Sequence, residues 1–183
     1  DIFNVHDDYI LLIASAVALV IGIGLSTRTT FIGTIIIVAA TQPFMAAVIS
    51  EFIPDTPLAP LLFAGSGSAL IWFSLRNIGL RFVARAAGAV SILIAAIGFS
   101  TWDSNLWQPV VGLAIVGLLF IFGANRMYLE VVALGGLGVT IITGILAGQL
   151  FDSSLAQGIS VIGVGAIIVF TSIAISKKGN AVT

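Results

Sequence analysis

Long apolar runs separated by short polar connections recur seven times, at approximately 9–25, 30–49, 59–75, 82–99, 109–122, 131–150 and 158–175. A helix crossing a hydrocarbon core of about 30 Å needs roughly 17 to 25 residues at 1.5 Å rise, and each run is close to that length. The pattern predicts an all-α, polytopic integral membrane protein whose seven transmembrane helices form a single domain over residues 1–183. The connections are too short to hold an extramembrane catalytic domain, a nucleotide-binding loop or a soluble recognition module. Any activity is therefore expected between helices or in the outer loops.

The charges fall on the connections in a strict alternation. In chain order these carry Arg28; Glu51 and Asp55; Arg76 and Arg81, with Arg85 just beyond; Asp103; Arg126 and Glu130; and Asp152. Asp1, Asp7 and Asp8 stand at the front and Lys177 and Lys178 at the back. All 7 Lys and Arg residues thus share one side, and of the 8 acidic residues only Glu130 joins them. The positive-inside rule counts Lys and Arg alone and puts that side in the cytoplasm. An external N-terminus and a cytoplasmic C-terminus follow, with a prokaryotic cytoplasmic membrane as the expected location. The chain opens on Asp1, and a removed secretory signal would agree with an external N-terminus.

Composition sharpens this picture. Only 8 % of residues are charged, 59 % are hydrophobic and the mean hydropathy is +1.20, whereas soluble domains carry about a quarter charged residues. A net charge of −1 argues against a nucleic-acid partner, which requires a basic surface. The expected partners are membrane lipid and other membrane subunits or further copies of the chain. With no cysteine and a single histidine, His6, neither thiolate-held clusters nor paired histidine haem ligands are available.

The outer loops repeat. The string DSNLWQ at 103–108 matches DSSLAQ at 152–157 at an offset of 49, and DTPL at 55–58 and DDYI at 7–10 fall on the same frame. On the other side, LSTR at 25–28 matches FSLR at 73–76, and FGANR at 122–126 recurs with one residue inserted. These matches predict tandem helical-hairpin repeats near 7–54, 55–102 and 103–151, followed by a half-unit over 152–183. Each hairpin holds two spans, so the repeats are parallel, unlike the inverted halves of several transporter folds. The D-(S/T)-x-L signature itself is explained as a helix cap, since Asp or Ser accepts bonds from free N–H groups at a helix start.

Ionisable groups at bilayer depth would be the first place to look for chemistry, because burying one costs at least about 2.5 to 3.5 kcal/mol. None lies near a span centre, which disfavours proton pumps and carboxylate relays; the seventh span has no lysine for a retinal Schiff base. The mid-span polar positions are neutral. Thr41-Gln42-Pro43 sits at the centre of the second span, and Gly65, Ser66, Gly67 and Ser68 at the centre of the third. Pro43 leaves the Ala39 carbonyl without its usual helical donor. The sixth span carries Gly136, Thr140, Gly144 and Gly148 at four-residue spacing, and the first carries Ala14, Ala18 and Gly22. Such small-residue ridges are helix-contact surfaces, and Gln42 and the serines can hydrogen-bond across them.

Two functions fit these residues. The leading expectation is a non-enzymatic membrane protein acting by helix–helix association, as an accessory, assembly or scaffold subunit of a larger complex or as a self-associating component. The alternative is a small channel or facilitator for a neutral or weakly polar solute, lined by Gln42, Ser66 and Ser68 and shaped by Pro43 and Gly67. An enzyme ranks lowest. The one histidine stands in the external tail, no serine has a positioned base, and Gly22-x-Gly24 and Gly163-x-Gly165 lie inside apolar runs rather than phosphate loops. No cofactor or metal is expected; His6 with Asp7 and Asp8 is the weak exception. Trp72, Trp102, Trp107 and Tyr128 read as aromatic anchors at the membrane–water interfaces.

Overall fold

The computed structural model describes residues 2–26, 30–52, 56, 59–76, 80–102, 105–151 and 154–180, with the side chains of 2–10, 30, 50–52, 154–156, 171–172 and 174–180 outside the description. The described chain forms seven helices and no strand: α1 (Ile2–Ser26), α2 (Thr30–Phe52), α3 (Ala59–Leu75), α4 (Arg81–Ser100), α5 (Trp107–Arg126), α6 (Leu129–Leu150) and α7 (Ser154–Asn180). Each helix contains one apolar run, so the all-helical class is as expected, while α1 begins seven residues before its run and α5 and α7 extend past theirs by four and five residues.

Four segments among the described residues are long and apolar enough to cross a membrane: Phe31–Ile49, Arg81–Ser100, Trp107–Arg126 and Leu129–Leu150. Between 22 % and 50 % of each is buried within the protein. Aliphatic and aromatic side chains cover the rest of the surface, including Val20, Ile94, Leu118, Ile162 and Phe170, all more than half exposed. Helices that are apolar all round, yet uncovered, belong in a nonaqueous solvent. This is the composition of a membrane protein. The described parts of the other three helices, Leu11–Ser26, Ala59–Leu75 and Gln157–Phe170, are apolar but shorter.

Asp1, Arg28, Asp55, Asp103 and Asp152, which carry much of the charge pattern and the loop repeat, lie outside the described residues. So do the side chains of His6, Asp7, Asp8, Glu51, Lys177 and Lys178. The helix starts that are described use main-chain atoms. At α5 the Gln108 N–H donates to the Asn105 carbonyl, and at α6 the N–H groups of Val131 and Val132 both donate to the Tyr128 carbonyl. Neither α5 nor α6 has a side-chain cap. Pro60 and Pro109 stand in first turns, where a missing N–H costs nothing; Pro43 alone interrupts the middle of a described helix.

The chain divides into two compact units, residues 1–91 and 92–183, with α4 contributing its first half to one and its second half to the other. In the first unit α1 and α2 pack antiparallel. A Cβ on Gly33 would collide with the Ser26 backbone, and one on Gly22 would meet Ile36 and Ile37 at 3.0 Å. Away from that tight end the same pair opens into an apolar groove of about 300 Å³ lined by Leu11, Ser15, Ala18, Ile36, Ala39, Ala40 and Pro43. α2 also touches α3. α3 meets α4 where a Cβ on Gly88 would come 2.5 Å from the Gly67 carbonyl oxygen.

The second unit is built on the α5–α6 hairpin, joined by α7 against α6. Its core is Leu93 and Ala96 of α4 with Val116 and Ile142. Down the α5–α6 seam a glycine faces a bulky residue at every level. Gly123 lies against Val131 and Val132, Phe120 against Gly135, Val116 against Gly138, and Gly112 against Ile142. A Cβ on Gly135 would stand 2.7 Å from the Phe120 nitrogen, so only glycine permits this approach.

Candidate functional site

One pair of mid-helix polar groups joins two helices. Gln42, near the middle of α2, donates from Nε2 to Ser91 Oγ near the middle of α4. Ser91 in turn donates its own proton to the Ala87 carbonyl at 2.8 Å and is only 3 % exposed. The hydroxyl therefore accepts once and donates once. An interhelical bond of this kind is worth about 0.6 kcal/mol on average and up to about 1.7.

The remaining hydroxyls turn back on their own helices. Ser66 Oγ donates to Phe63 O at 2.8 Å, Ser68 Oγ to Ala64 O at 2.8 Å and Thr140 Oγ1 to Gly136 O at 3.0 Å. Thr41 Oγ1 and Ser15 Oγ do the same, each at 2.6 Å, to Ile37 O and Leu11 O. Back-bonding to the carbonyl three or four residues earlier satisfies the hydroxyl inside lipid and leaves it weakly available to anything else.

The residues singled out from sequence are distributed as follows. Gln42 reaches Ser91 rather than the serines of α3. Ser66 and Gly67 are buried, whereas Gly65 and Ser68 are exposed, and nothing approaches a Cβ at Gly65 within 4 Å. Pro43 lines the α1–α2 groove. In α6, a Cβ on Gly136 would come 3.0 Å from Ile168 of α7 and one on Gly144 3.6 Å from Val161, while Gly148 is open. In α1 the packed face is Ser15, Ala18 and Gly22; Ala14 is exposed.

The α5–α6 seam was not singled out from the sequence. The buried positions include Gly112, Val116, Leu119 and Gly123 in α5, and Val131, Gly135, Gly138 and Ile142 in α6. Both sets follow the spacing i, i+4, i+7, i+11. That alternation of four and three tracks a facing helix, whereas a strict four-residue ridge drifts by about 40° per step. The heptad spacing, and not glycine frequency, is the signal that could have found it.

At the helix ends, aromatic rings pair edge to face: Phe99 with Trp107 at 5.4 Å and Phe122 with Tyr128 at 6.1 Å between centroids. Trp72 packs edge-on to Phe73 at 5.6 Å and receives the Arg76 guanidinium over its ring, with Cζ 4.1 Å from the centroid. Among the described residues no group of three metal-ligating side chains converges.

No protein-family model matches this chain, and neither a curated protein nor a solved structure matches it. The site is accordingly read from its own geometry.

Proposed function

We propose that this protein works by helix–helix association within the membrane, as a non-enzymatic accessory, assembly or scaffold subunit of a larger complex or as a self-associating component. In this reading all seven helices span, the N-terminus is external and the C-terminus cytoplasmic. The observation that carries it is the use of the mid-helix polar groups: Gln42 and Ser91 join two helices, and Ser66, Ser68 and Thr140 satisfy themselves. Glycine seams that bring α5 and α6 into backbone contact support the same view. The broad apolar faces of α1 and α7 leave room for partner helices.

The tandem-hairpin reading gains support from the polar lock. Gln42 and Ser91 are 49 residues apart and Thr140 stands 49 further on, each step one residue longer than the 48 that separates the outer loops at 7, 55 and 103. Ser91 and Thr140 also share the same bond to the carbonyl four residues back.

Purification in mild detergent tests the proposal. A defined oligomer or a stoichiometric co-purifying membrane subunit is expected. A monomer that passes a solute across liposomes would overturn it in favour of a facilitator, a reading to which the exposed Gly65–Ser68 face of α3 lends some support. Gln42→Leu discriminates between the two: lost assembly fits association, and lost flux with normal assembly fits conduction.

A further inference from the structure

The sequence on either side of the α3–α4 connection is basic with no acidic counterpart. Between residues 56 and 102 the sequence has three arginines, Arg76, Arg81 and Arg85, and no acidic residue. Arg85 is already engaged within the protein and is set aside. Arg76 closes α3 and Arg81 opens α4; both are exposed. Five residues of chain can separate their Cα atoms by at most about 18 Å, so the two flexible side chains serve one end of the hairpin. Trp72 is 48 % exposed and lies one turn before Arg76, whose guanidinium it holds at its ring face. An amphipathic indole at the boundary of an apolar helix sits at headgroup depth. It thus fixes both the depth and the position of an arginine whose N–H groups match a phosphate diester.

From this arrangement we infer that the α3–α4 turn binds the headgroup of an anionic phospholipid, with Arg76 and Arg81 contacting the phosphate and Trp72 positioning Arg76. The inference rests on the membrane reading. The turn between α5 and α6 is the natural contrast, because Arg126 there has an acidic residue, Glu130, four positions away.

The test is native mass spectrometry of the full chain, delipidated in detergent and then offered phosphatidylglycerol or phosphatidylcholine. The wild type should retain phosphatidylglycerol preferentially, a result that needs no substitution. Arg76→Gln and Arg81→Gln should each weaken that retention by roughly fivefold, the usual value of one basic residue at an anionic surface. Trp72→Leu should weaken it less, and Arg126→Gln should leave it unchanged. Equal retention of the two lipids by the wild type would overturn the inference. So would an equal loss in Arg126→Gln, since net charge alone would then explain the binding. Excess inorganic phosphate that competes as well as the lipid would overturn the assignment of a lipid as the occupant. Recovery of the protein in the aqueous fraction after a carbonate wash would instead defeat the membrane reading itself.

Discussion

A glutamine amide at mid-helix depth brings two N–H donors and a carbonyl into lipid, where an unmet polar group costs several kcal/mol. Gln42 answers this by donating to Ser91, and the pair should behave as a coupled unit. In a double-mutant cycle of Gln42→Leu and Ser91→Ala, followed by denaturation in mixed micelles, we expect a coupling of about 0.6 kcal/mol, with about 1.7 as a ceiling. Strict additivity would mean the bond contributes nothing. The glycines give a sharper contrast. Gly135→Ala drives a methyl into the Phe120 backbone and should cost about 1 to 3 kcal/mol. Gly148→Ala meets nothing within 4 Å and should be neutral or stabilising by up to about 1 kcal/mol, because alanine is the better helix former. A comparable loss at both sites would show that helix context, and not the seam, decides. That Gln42 stands at mid-depth and needs a polar partner was legible from its place in an apolar run. That its partner was Ser91 was not, because periodicity carries no information on which helices are neighbours.

At the scale of an element, helix ends and ridges depart from what composition suggests. α5 terminates at Met127, which adopts φ 56° and ψ 35°, and there its N–H donates to Ala124 O while the next N–H, of Tyr128, donates to Gly123 O. This left-handed closure normally falls to glycine, since a Cβ there crowds the following carbonyl. Met127→Gly is therefore expected to raise the midpoint of thermal unfolding in detergent, by a stabilisation of about 1 kcal/mol; a lower midpoint would show that the methionine side chain holds the turn. Nothing in the run Ala124-Asn125-Arg126-Met127-Tyr128 marks methionine as the closing residue, so sequence reading had no means to place it. The α6 ridge shows the complementary lesson. Gly136 and Gly144 do face α7, but the four-residue spacing rotates Gly148 off that face, whereas Gly135 and Gly138, three residues apart, stay on the α5 side.

For the whole molecule, the apolar surface and the charge alternation lead to one measurable arrangement. Reporter fusions after Lys178 and after Arg126 should both be cytoplasmic, and one after Asp103 should be external. A fusion after Lys178 that reports from outside would reverse the topology and, with it, the leaflet assigned to Arg76 and Arg81. An even number of crossings, shown by like placement of both termini, would remove one span and break the hairpin count.

Helix number and the membrane class were set by the chain itself, because lipid demands that each backbone satisfy its hydrogen bonds locally, and a helix does so from contiguous residues. Seven apolar runs correspond to seven helices, four of them, among the described residues, long and apolar enough to cross a membrane. Partner choice is of another kind. Gly123 beside Val131, Gly135 beside Phe120 and the amide of Gln42 on Ser91 depend on rotation and approach of separate helices. Those are properties of surfaces brought together, and only the tertiary structure decides them.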